Sequence, residues 1–176
     1  MIAGATGSRV HPLRTIHTTL QEELANAQMQ PAEACRPFDK DRCGMVIGEG
    51  AGALILEELE SAQQRGVPIL AEVIGHNSST VIAQDGTAHC GEALGHALRL
   101  ALNNANLSPE ELGHVHAHGI STLQGDQLEA KAIAQELGNY QEQVPVVAAK
   151  SYFGNLGAAS GLIEIIQPWV NRYGEW

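Results

Sequence analysis

Aromatic residues are scarce in this sequence: two Phe, two Trp and three Tyr among 176 residues. A core must therefore come mostly from Ala, Val, Ile and Leu. Cysteine is scarce too. Cys35, Cys43 and Cys90 are an odd count without metal-ligand spacing, which fits a reducing compartment. Basic residues are outnumbered, ten against twenty acidic, for a net charge of -10. No dense Lys/Arg cluster offers the basic stripe that a nucleic-acid surface needs. No apolar run approaches the roughly 20 residues of a membrane span. The N-terminus has no charged and apolar regions of a signal peptide. A cytoplasmic protein with neither membrane nor nucleic acid as partner is expected. There is no P-loop, no G-x-S-x-G elbow and no dinucleotide fingerprint.

Glycine, by contrast, is plentiful, at 19 residues. The length suits one domain or a large part of one. Both ends read as cut: "MIAGATG" looks like a strand end, and "PWVNRYGEW" follows an apolar helix without a cap. Between them strands and helices alternate, which makes the class α/β. Helices are expected over 12–28, 58–66, 92–105, 124–137 and 154–167. Strands are expected in "AGALILEE", "PILAEVIGHNS", "HVHAHG" and "VPVVAAK". In the helix over 124–137, Leu128, Ala132, Ile133 and Leu137 should face inward. "MQPAEACRPFDKDRCG" reads as an irregular loop, and "SPEE" from Ser108 as a helix start. "GEGAGA" reads as a close-packed strand.

Sites in such sheets lie at strand ends. His118 follows one candidate strand and Lys150 another. Lys150 opens "KSYFGNLGAASG", a run of small residues that lets a ligand or another backbone come close. Asn155 is its best-placed polar side chain. His114, His116 and His118 alternate along a strand and share a face, a pattern that could bind zinc, although no matching carboxylate or cysteine shell is evident. Asp126 and Glu129 fall in the first turns of a helix, where carboxylates complement the dipole. Glu129 could alternatively be a buried carboxylate that orients Lys150.

Three segments together, "CRPFDKDRCGMVIGEGAGALILEE", "VHAHGISTLQGDQLEAKAI" and "AAKSYFGNLGAASG", resemble the β-ketoacyl-acyl carrier protein synthases. These are the decarboxylating condensing enzymes of fatty acid and polyketide synthesis. The resemblance implies a thiolase-like fold with αβαβα layers, of which residues 1–176 would be mostly the C-terminal half. Residues 1–45 would be a lead-in helix and loop from the central region. The nucleophilic cysteine would lie upstream of Met1, and Cys35, Cys43 and Cys90 would sit in loops that do not match it. The segment alone would be inactive, and half a fold should be poorly stable.

By motif, His118 matches the first histidine of the family's "HGTST" pattern. Lys150 matches the lysine of "K-S-x-x-G-H", and Glu129 the carboxylate that partners it. Asn155 stands where that pattern has its second histidine. The resemblance implies no cofactor and no metal. It implies acyl carrier protein as partner, bearing phosphopantetheine-bound acyl and malonyl groups, and a homodimer or heterodimer as the full assembly. A non-catalytic subunit that helps set chain length is the alternative; a small zinc hydrolase built on the three histidines is a more distant one.

Overall fold

The computed structural model describes residues 1–26 and 28–173. In chain order the elements are β1 (Ile2–Ser8), α1 (Pro12–Gln21), α2 (Pro31–Ala34), β2 (Glu49–Ile55), α3 (Leu59–Arg65), α4 (Cys90–Ala105), β3 (Val115–His116), α5 (Leu123–Leu137), β4 (Val146–Val147), α6 (Lys150–Phe153) and α7 (Ser160–Tyr173). β1 and β2 pair antiparallel, from Ile2↔Ile55 to Ser8↔Glu49. β3 and β4 pair parallel. A parallel pair needs a crossover, and α5 provides it.

The core is aliphatic, as the composition requires. Ala117, Ile133, Leu137 and Val144 form its buried centre, with Phe38, Leu98, Leu112, Val115 and Tyr140 packed around them. α4 lies against α5, and α7 lies against β2. Among the described residues, no helix is long and apolar enough to cross a membrane.

The structure departs from the sequence expectations at several elements, each for a tertiary reason. α1 ends at Gln21 rather than near 28, because the chain turns aside to pair with the segment before β2. Leu24 bridges Met45, and Met45 N donates to Glu23 O while Ala25 N donates to Met45 O. The segment "PILAEVIGHNS" has no β-ladder partner among the described residues, and Leu70 and Val73 are exposed. Branched residues favour a strand, but only a neighbouring chain completes one. "SPEE" makes one 3-10 turn, closed by a reciprocal capping box between Ser108 and Glu111.

Leu128 is 41% exposed, because two carboxylates take its expected share of the buried face of α5. Cys90 opens α4 instead of lying in a loop. α7 starts at Ser160, not 154. The intervening chain breaks after α6, since Asn155 N donates to Val46 O and Gly48 N to Asn155 O. That crossing needs glycine on both sides. A Cβ on Gly48 would lie 2.5 Å from Phe153 O, and one on Gly154, whose φ is +74°, would lie 2.9 Å from Val46 O. The uncapped end expected at "PWVNRYGEW" falls partly on residues 174–176, outside the described residues.

Candidate functional site

The site is assembled where β3 and β4 end. Ala117 N still donates to Val147 O in the ladder. The next residues leave it as a loop of bare amides, which must find acceptors once buried. Two carboxylates one turn apart on α5 supply them. Glu129 accepts from His118 N at 2.6 Å and Gly119 N at 2.8 Å. Asp126 accepts from Ile120 N at 3.0 Å, Ser121 N at 3.1 Å and Phe38 N at 2.8 Å. Arg42 Nε lies 3.5 Å from Asp126 and offsets its charge.

Glu129 therefore does not pair with Lys150, contrary to the expectation from sequence. Both its oxygens are committed to the loop that carries His118. The partner of Lys150 is Glu164 on α7. Lys150 is fully buried, and its Nζ has three acceptors for its three hydrogens. These are Glu164 Oε1, His118 O at 2.6 Å and His118 Nδ1 at 3.2 Å. An ammonium only donates, so Nδ1 must accept and the ring proton sits on Nε2. Burial first, then the Lys150 charge, hold His118 below the ordinary imidazole range, so it stays neutral near pH 7. Burial also raises Glu129 above the usual carboxylate range, against the two amide bonds that lower it. The buried Cys35 thiol is pushed up chiefly by desolvation and stays protonated.

Asn155 belongs to a second network. Its Oδ1 accepts from Gly157 N at 2.9 Å and from Ser160 Oγ at 3.3 Å, and its Nδ2 meets Met45 Sδ at 2.7 Å. Among the described residues, no hydrogen bond links Asn155 to His118, Lys150 or Glu129. The structure thus brings His118, Lys150 and Glu129 together and holds Asn155 in a separate set of hydrogen bonds. The small residues around Gly154 are filled by the chain's own segment 46–48 rather than standing open for a ligand.

The three alternating histidines separate into two environments. His114 and His116 stack edge to face with ring centroids 4.9 Å apart, while His118 is committed to Lys150. Among the described residues, no group of three or more His, Cys, Asp or Glu could hold a metal ion. Sequence reasoning missed Glu164. Its signal was a lone acid in the apolar run "LIEIIQ". It also read Asp126 as a helix-end charge only, and passed over Met45 and Ser160, whose roles depend on the crossing at Asn155.

The chain matches known families and solved structures along nearly its whole length. The β-ketoacyl synthase C-terminal domain matches residues 70–170, and the β-ketoacyl synthase N-terminal domain matches residues 1–62. A 3-oxoacyl-[acyl-carrier-protein] synthase 2 from Synechocystis is 41% identical over 168 residues, covering 94% of this chain and 40% of that protein. A type II polyketide ketosynthase, solved in complex with its acyl-carrier protein and bound to the hexaketide, superposes with a TM-score of 0.85 at 34% identity, over 97% of this chain and 42% of that one. A β-ketoacyl synthase from Burkholderia phymatum gives 0.81 at 35% identity, over 96% and 40%. The chain thus spans about two fifths of the length of these relatives. Its α/β architecture is part of their thiolase-like fold.

Proposed function

The chain belongs to the β-ketoacyl synthase family, and from that premise we propose that it supplies the decarboxylation half of a condensing site in the complete protein. The reaction joins an acyl group to a two-carbon unit from a malonyl thioester on acyl carrier protein. The malonyl carboxylate leaves as carbon dioxide, and its electron pair builds negative charge on the thioester oxygen. That oxygen needs positioned N–H donors in a dry site. His118 is one, through Nε2–H, and Asn155 is the other, through its carboxamide.

The observation that carries this reading is the threefold bonding of the Lys150 ammonium. It puts the imidazole proton on Nε2, turns that nitrogen into a donor and keeps the ring neutral. Lys150 and Glu164 act behind the reacting atoms, and Glu129 holds the backbone of the loop. Asparagine can donate but cannot titrate near neutral pH, so proton transfer is not asked of position 155. Acyl carrier protein is the proposed partner, a dimer the proposed assembly and the cytoplasm the proposed compartment.

The test is malonyl thioester decarboxylation by the complete protein. His118→Ala should lower kcat by about 10²- to 10³-fold. Asn155→Ala should lower it too, while Asn155→His should restore most of it. Unchanged turnover in the His118→Ala protein would sink the reading. A second reading rests on Asn155 occupying the family's second histidine position: a non-catalytic subunit paired with an active one. A residue other than cysteine at the nucleophile position of the complete protein would favour it.

A further inference from the structure

Asn155 raises a problem that its role as donor leaves open. A carboxamide is pseudo-symmetric, and a half-turn would exchange its donor end for its acceptor end. Asn155 is only 7% exposed, so water does not choose between the two. The Gly157 amide does. A backbone N–H can only donate, so the end facing it at 2.9 Å must be oxygen. Ser160 strengthens the choice. Its Oγ accepts from Leu156 N at 3.0 Å, which leaves its own hydrogen free for Asn155 Oδ1 at 3.3 Å. Ser160 is 2% exposed and has no other partner among the described residues.

The nitrogen end then faces a sulfur. Met45 is 2% exposed, and its Sδ meets Nδ2. A buried N–H needs an acceptor, and a thioether is a weak one. The NH2 has two hydrogens, and a carbonyl or carboxylate in place of the thioether would hold the one that faces Met45 far more firmly. The backbone registers the same two segments, since Asn155 bridges Ile47, two residues beyond Met45.

We propose that Ser160 and Met45 are positioning residues for Asn155: the hydroxyl fixes which end of the carboxamide is the donor, and the thioether is a displaceable acceptor that gives up the N–H when a thioester oxygen arrives. This rests on the donor role of Asn155 proposed above. Substrate binding then exchanges a close contact with a weak acceptor for a bond to an oxygen gaining charge, so the gain falls in the transition state rather than in the resting enzyme.

The experiment measures kcat and KM for malonyl thioester decarboxylation by the complete protein, in single and double variants. Ser160→Ala should lower kcat by roughly three- to tenfold with KM unchanged, the worth of one hydrogen bond. The same change in an Asn155→Ala background should cost nothing more. Met45→Gln, with a strong acceptor, should lower kcat about tenfold, whereas Met45→Leu, of similar volume and no acceptor, should stay within about twofold. Equal losses in Met45→Gln and Met45→Leu would mean packing alone and overturn the proposal, as would a Ser160→Ala loss that persists without Asn155. Should Asn155→Ala itself retain full kcat, the donor reading falls and this inference with it. If Asn155→Ala is impaired and Ser160→Ala is not, only the inference falls.

Discussion

The two networks that flank the site are built on opposite principles. Around Lys150 every bond involves a charge or a lone pair held against one. The ammonium, the Glu164 carboxylate and the imidazole fix one another, and almost no alternative pairing exists. Around Asn155 every group is neutral: an amide, a hydroxyl, a backbone N–H and a thioether. The first network sets a protonation state and the second sets an orientation. The donor pair proposed above would need both, and asparagine is usable in the second network because no titration is required there.

The sharpest way to break this contrast is to remove the charge from the first network. Lys150→Met should leave Glu164 nearly buried without a partner. The expected loss is about 3–5 kcal/mol of stability, read by urea unfolding of the complete protein, together with loss of decarboxylation. Lys150→Met paired with Glu164→Leu should recover much of the stability and none of the activity, since the His118 tautomer stays unfixed.

A smaller effect is expected where the charge serves backbone. Glu129→Gln keeps one acceptor oxygen but turns an NH2 toward an amide that can only donate. One N–H of His118 or Gly119 is left unsatisfied, at about 1–3 kcal/mol. Unfolding of Glu129→Gln should show this loss. An unchanged midpoint would mean that the loop does not depend on that carboxylate.

The smallest effect is a slope with pH. His118 is held below its ordinary value of about 6.5, first by burial and then by Lys150. Below pH 6.5 the unfolded chain takes up a proton that the folded chain refuses. The contribution of His118 to stability is thus complete above that pH and shrinks as pH falls toward its folded value. His116, lowered mainly by burial, adds a slope of the same sign. Glu129 is raised, so it acts oppositely, losing stability as pH rises through its folded value. The measurement is the difference between wild type and His118→Gln: the variant's melting temperature should vary less between pH 6.5 and 5.5. Parallel curves would place His118 in a solvated, unperturbed setting.

How much of this was legible in the sequence depended on whether a feature is local. His118 before a glycine turn, Lys150 after a branched strand and the α/β alternation all follow from short patterns, although β3 already ends at His116, β4 ends at Val147, and Lys150 opens α6. The pairing of Lys150 did not follow. Glu129 and Glu164 both lie within helix-forming stretches, and only the packing of α5 and α7 decides which one meets the ammonium. The early end of α1 and the late start of α7 share one cause: segments near Met45 are drawn into bridges with Leu24 and Asn155, which no periodicity announces. The small residues after Lys150 signalled a close approach correctly, but what approaches is the chain's own backbone at Val46.

One consequence of the Lys150–Glu164 pair concerns the order of assembly. The two residues are 14 apart along the chain, whereas Ser121 and Arg36 are 85 apart. Closing a loop that short costs little chain entropy, so this electrostatic kernel can form before distant strands dock. Circular permutants opened upstream of Lys150 should keep it whole, and a break between Lys150 and Glu164 should delay its formation most.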